Sequence, residues 1–180
     1  MGKSAYKFGT EDNAHFCTCT VINWQPAFNN PEIAEIILNS FRYLHETGRI
    51  RLYAYVIMVN HLHCIIQCNN IAQLIRNFKS FTARKIIDYY ILHQNVYFLE
   101  FMHKNKRNQN SESKYQFWEE GVHPEEILSP QMMKTKIDYI HFNPVKAGFV
   151  NEPEHWRYSS ASNYNEDNGI IEIDKDWGLG

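Results

Sequence analysis

No apolar run in the 180 residues reaches the length of a membrane-spanning helix, and Met1 to Thr10 lacks the charged-then-apolar layout of a secretory signal. Both absences point to a cytoplasmic protein with no membrane partner. Cysteine is scarce as well. Cys17, Cys19, Cys64 and Cys68 have no disulfide-framework spacing, and a chain with 44% apolar residues can build a core without one. The composition also lacks an excess of basic charge. A formal net charge of -2, taken alone, argues against a nucleic-acid binder, because binders neutralise phosphates with a basic surface.

That average hides an asymmetry. Residues 151–180 carry seven acidic side chains against Arg157 and Lys175, which leaves the rest of the chain mildly positive. Within the rest, residues 71–115 hold Arg76, Lys79, Arg84, Lys85, Lys104, Lys106, Arg107 and Lys114 against three acidic residues. This segment is the one plausible phosphate-facing surface, although such charges are more often the solvated side of a helix. The length suits one compact domain, read here as residues 1–160 followed by an acidic C-terminal tail over 161–180.

Along the chain, Ala14 to Ile22 alternates and is rich in β-branched and aromatic residues, as a half-buried strand should be. Pro31 then opens a helix with Ile33, Ile36, Ile37, Phe41 and Leu44 on one face and Gly48 past its end. Arg51–Met58 and His61–Cys68 read as a hairpin of two strands. A long helix follows from about Ile71 to Leu92, and residues 93–115 read as a polar loop. Tyr115–Trp118 is the expected fourth strand. The last helix starts at Pro130, and Pro144 should end it near Asn143. The order βαββαβα predicts an α+β protein, a ferredoxin-like antiparallel sheet with helices on one face.

His61-Leu62-His63 lies inside a predicted strand, so both imidazoles leave the same face at a separation that one metal ion can bridge. Cys64 points the other way, which argues against a zinc site built from these histidines and Cys64 or Cys68. By itself a His-x-His is weak evidence, since half-buried histidines are common. A third ligand and a reacting group are available on the last helix. Tyr139 and Asn143 are four residues apart and stack on one face. The Asn143 amide oxygen could complete a His-His-Asn set, and Tyr139 lies about 100° from the Met133, Ile137, Ile140 stripe, at the margin of the core. A phenol and a cation are what phosphodiester cleavage by a side-chain nucleophile needs.

Three segments then resemble a known family: Tyr55-Val56-Ile57-Met58-Val59-Asn60-His61-Leu62-His63, Asp138-Tyr139-Ile140-His141-Phe142-Asn143-Pro144-Val145-Lys146-Ala147-Gly148, and Trp156-Arg157-Tyr158-Ser159-Ser160. They look like the single-tyrosine HUH transposases, in particular the REP-associated tyrosine transposases. The resemblance implies that His61 and His63 bind Mg²⁺ or Mn²⁺, with Asn143 where relatives place a third polar ligand. It implies that Tyr139 attacks the scissile phosphate to give a 5′-phosphotyrosine and a free 3′-hydroxyl, and that rejoining reverses this. It further implies a homodimer acting on hairpins in single-stranded DNA, for which Arg76, Lys79 and Arg84 are the expected phosphate contacts. Val59 departs from the family, where proline commonly precedes Asn-His, and the 93–115 segment is longer and more polar than the family suggests. The rival classes are a domesticated hairpin-binding protein without transposition activity and a metal-dependent hydrolase of small phosphate esters.

Overall fold

A computed structural model describes residues 13–107, 112–121, 123–165 and 168–177. The Met1–Thr10 start and Glu166 and Asp167 of the acidic segment lie outside the described residues. The elements are β1 (His15–Thr20), α1 (Pro31–Glu46), β2 (Arg51–Ile57), β3 (His61–Gln67), α2 (Ile71–Leu92), α3 (Val96–Lys104), β4 (Glu125–Glu126), α4 (Pro130–Lys146) and α5 (Ala161–Asn165). The strands form one antiparallel sheet in the order β2-β3-β1-β4. The α+β class and the antiparallel sheet are those expected from the sequence.

Each longer helix starts on a polar cap. Asn30, Asn70 and Asn95 accept from the backbone N–H of Glu32, Gln73 and Phe98, and Ser129 Oγ accepts from that of Met132. Such a cap is worth about 1 kcal/mol. The Asn95 cap belongs to α3, a helix inside the segment expected to be a polar loop. Its Phe98, Leu99, Phe101 and buried Met102 pack on the core, so a short apolar run outweighs the polar residues around it.

Two further expectations are corrected. The fourth strand is Glu125–Glu126, paired with His15 and Phe16. The Tyr115–Trp118 segment reaches the same edge of the sheet only as a single bridge between Trp118 and Val21. The last helix also runs three residues beyond Asn143, because proline forfeits only its own N–H. Ala147 N–H still donates to Asn143, and Phe149 N–H donates to the Pro144 carbonyl. Gly148, at φ +77°, then supplies the left-handed residue that stops the helix.

Alternation in the strands sorts the side chains onto two faces. Cys17, Cys19, Tyr55, Ile57, Leu62, Cys64 and Ile66 meet α1 and α2 in the larger core. Tyr53, Ala54, Val56 and Ile65 meet Met133, Ile137 and Ile140 of α4 in a second core. The helices therefore cover both faces. The expectation of one covered face fails for α4 because β2 and β3 are apolar on both sides, which leaves a second face to bury. The outer edge of β2 is closed by the chain after α4. Ile57 N–H donates to the Tyr158 carbonyl and Ser160 N–H to that of Tyr55, while Asp174 N–H donates to the Leu52 carbonyl. Buried Ile171 and its neighbours Ile170 and Ile173 pack against the main core, so the described part of 161–177 lies on the body of the protein. Among the described residues no helix is long and apolar enough to cross a membrane.

Candidate active site

β3 carries His61 and His63 on the face that α4 partly covers, with ring centroids 4.8 Å apart. His63 stacks on Phe16 of β1 at 5.3 Å, and its Nδ1 lies 2.8 Å from the Thr18 hydroxyl, the residue paired with it across the sheet. His61 Nδ1 lies 2.7 Å from Asn60 Oδ1. The amide nitrogen of Asn60 donates to the Trp24 carbonyl, so Oδ1 is the accepting end and His61 Nδ1 carries the proton. Both Nδ1 edges are thus engaged by oxygen partners, which leaves the Nε2 edges for a ligand. The Asn60 contact fixes the His61 tautomer and the Thr18 contact the orientation of His63, as oxygen partners commonly do for metal-binding histidines.

Burial lowers the pKa of both imidazoles. His63 is pushed down to about 3 by burial first, then by His61 and Lys136, and His61 is lowered by burial. Both are neutral at pH 7 and offer lone pairs. The donor chemistry therefore fits a divalent cation. Among the described residues no third histidine, cysteine or carboxylate joins them. The cysteines stand apart as their register requires. Cys17, Cys19 and Cys64 are buried free thiols in the larger core, and burial pushes Cys19 up to about 12.

Tyr139 comes to the same place from α4. Its ring centroid is 5.3 Å from that of His63 and 5.8 Å from that of Phe16, in edge-on contacts, and the side chain is 41% exposed. Lys146 Nζ lies 5.7 Å from the centre of the Tyr139 ring. Lys136 Nζ lies over Phe16 and pairs with Glu125 at 2.5 Å. Lys136, Tyr139 and Lys146 lie on one side of α4 by helical spacing, with the Lys136 charge paired to Glu125 and the Lys146 ammonium at the Tyr139 ring. Asn143, half-buried, is one turn beyond Tyr139, and its N–H and carbonyl belong to the last turns of the helix.

The expected phosphate contacts behave differently from one another. Arg76 and Arg84 are exposed on α2, beyond the opposite face of the sheet. Lys79 is partly buried and spends its ammonium on the carbonyls of Glu119 and Gly121, at 2.6 and 2.8 Å, which ties α2 to the chain after α3.

Sequence reading missed Phe16, Thr18, Lys136 and Lys146 around the histidines. The signal for Phe16 and Thr18 was the alternation of the first strand, but it needed the register to place Thr18 opposite His63. It also missed what the other motif residues do. His141 is buried and lies 2.9 Å from Ser160 Oγ, which accepts from Tyr55 N–H. Trp156 Nε1 donates to the Ile57 carbonyl. The Trp-Arg-Tyr-Ser-Ser segment thus closes the sheet edge and locks α4 to β2, which fixes Tyr139 over β3.

Comparison with known proteins finds similar solved structures and a matching family profile. A solved REP-associated tyrosine transposase, bound to a REP hairpin, superposes with a TM-score of 0.59 at 17% identity, covering 100% of this chain and 97% of that one. At that identity the likeness concerns the fold. No curated protein matches. The family profile described as transposase IS200-like matches residues 12–141, a span that includes the histidine pair and Tyr139, and the chain belongs to that family.

Proposed function

We propose that the protein is a tyrosine transposase that cleaves and rejoins hairpin-containing single-stranded DNA. The observation that carries this reading is the 5.3 Å approach of the Tyr139 ring to His63, on the side chain's own subunit. Tyr139 Oη attacks the scissile phosphorus, the bond to the 3′-oxygen breaks, and the phenolic proton is lost as the 3′-hydroxyl forms. The product is a 5′-phosphotyrosine, and attack by a 3′-hydroxyl reverses the step. His61, His63 and Asn143 would hold Mg²⁺ or Mn²⁺, which supplies charge neutralisation at the phosphate. Asn60 and Thr18 keep the imidazoles oriented, and the Lys146 ammonium stands beside the phenol, where phosphate charge arrives.

The REP hairpin held by the structural neighbour supports a hairpin substrate. Arg76 and Arg84 serve as outlying phosphate contacts, Lys79 contributes whatever its backbone ties leave free, and the protein acts as a homodimer. The test is covalent attachment to single-stranded hairpin oligonucleotides in Mn²⁺, followed on denaturing gels. Wild type should form the adduct and Tyr139→Phe should form none. An adduct that survives in Tyr139→Phe would move the nucleophile to another residue.

A further inference from the structure

Trp24 is 61% exposed, and Trp118, Trp156 and Trp177 are all at least partly buried. Its indole stands beside the histidine pair, with the ring centroid 5.6 Å from that of His61 in an edge-on contact. The backbone that presents it is strained. Asn23 and Trp24 take φ values of +47° and +57°, a left-handed conformation that asparagine tolerates and that a bulky residue such as tryptophan seldom adopts.

That conformation is held from several directions. Asn23 N–H donates to Glu119 Oε1 at 2.8 Å, and Arg107 donates both to Asn23 Oδ1 and to Glu119. Asn60 Nδ2 donates to the Trp24 carbonyl at 3.2 Å, while its Oδ1 takes His61 Nδ1. One amide therefore links the indole's backbone to the first imidazole. Strain that the surroundings over-determine, spent on exposing an apolar ring beside a reactive site, is hard to account for by folding alone.

The geometry points to Trp24 as a stacking platform for the base that neighbours the scissile phosphate, a contact that rests on the proposed reading of the site as one for single-stranded DNA. A strand whose phosphate sits at the imidazoles carries its adjoining base past the indole, one ring's width away. Base–aromatic stacking tolerates any sequence, because every base has a π-face. Trp24 thereby orients the strand at the cleavage point, while sequence is read elsewhere.

The test uses the full chain and two probes of equal charge, a dT12 oligonucleotide and a twelve-residue abasic strand, with binding measured by fluorescence anisotropy at fixed salt. Trp24→Ala should weaken dT12 binding by about 5- to 150-fold and leave the abasic strand within about twofold. Trp24→Phe should restore most of the dT12 affinity. It should also lose the indole quenching that dT12 causes in wild type, a readout that survives if the alanine variant misfolds. Unchanged dT12 binding in Trp24→Ala, equal losses on both probes, or a wild type that does not prefer dT12 would each overturn the platform. A wild type that forms the Tyr139 adduct while Trp24→Ala binds dT12 normally would sink this inference alone. Absence of any adduct in wild type would sink the reading beneath it.

Discussion

The two faces of the sheet are made by the same strands and do different work. On one, Leu62, Cys64 and Ile66 of β3 disappear beneath α1 and α2 in a closed apolar core. On the other, Ile65 is buried under α4, but His63 and His61 lie toward the margin of that helix, beside a partly exposed Tyr139. On the proposed reading, a period of two residues is enough to separate stability from chemistry along seven residues of chain. The second face is only part covered: His63 is buried, while His61 and Tyr139 keep part of their surface open.

The sharpest way to break this contrast is to truncate neighbours in β3 that point in opposite directions. His63→Ala should lower covalent attachment by more than about 100-fold while the far-UV circular dichroism remains that of a folded chain. Leu62→Ala should do the reverse. It should lose about 2–5 kcal/mol of stability in urea unfolding, with attachment per folded molecule preserved below the transition. If both variants lose attachment equally while folded, the two faces are not separable.

Next in size is the orienting contact. Asn60→Ala removes the partner of His61 Nδ1 and should cost roughly 10- to 100-fold in metal affinity or attachment, with little change in urea midpoint. An unaffected enzyme would mean that the imidazole needs no such support.

Counted one histidine at a time, the smallest effect is that of pH. Burial depresses the pKa values of His15, His61, His63 (to about 3) and His141 (to about 4) below the ordinary 6.5. The unfolded chain therefore binds protons that the folded chain refuses. Stability is complete above about pH 6.5 and falls as pH drops toward 4, with each such histidine contributing up to about 1.4 kcal/mol per pH unit inside its window. Urea midpoints measured from pH 7.5 to 4.5 should fall accordingly, and His141→Gln should flatten part of the slope.

Much of this was legible in advance where the signal is local. The bounds of α2, the start of α1 and the hairpin of β2 and β3 follow from apolar periodicity, and the common face of His61 and His63 follows from alternation. What was illegible depends on contacts between distant segments. Two residues, Glu125 and Glu126, carry no strand pattern of their own and pair with β1 only because the chain returns there. The place of α4 over the histidine face is set by His141, Ser160 and the Tyr158–Ser160 edge, none of which can be paired from a single sequence. The exposure of Trp24 comes from a loop held by Glu119, Arg107 and Asn60, residues 36 to 96 positions away.

The central claim is that one chain brings the phenol and the imidazoles together. For the proposed homodimer it is tested most directly by mixing Tyr139→Phe and His63→Ala subunits, each with its own tag, and purifying the mixed assembly through both tags. With nucleophile and histidines drawn from the same subunit, every site in that assembly lacks one of the two, and no covalent adduct should form with a hairpin that wild type attacks. Recovery of the adduct would mean that Tyr139 serves the histidines of a partner subunit, and would contradict the account.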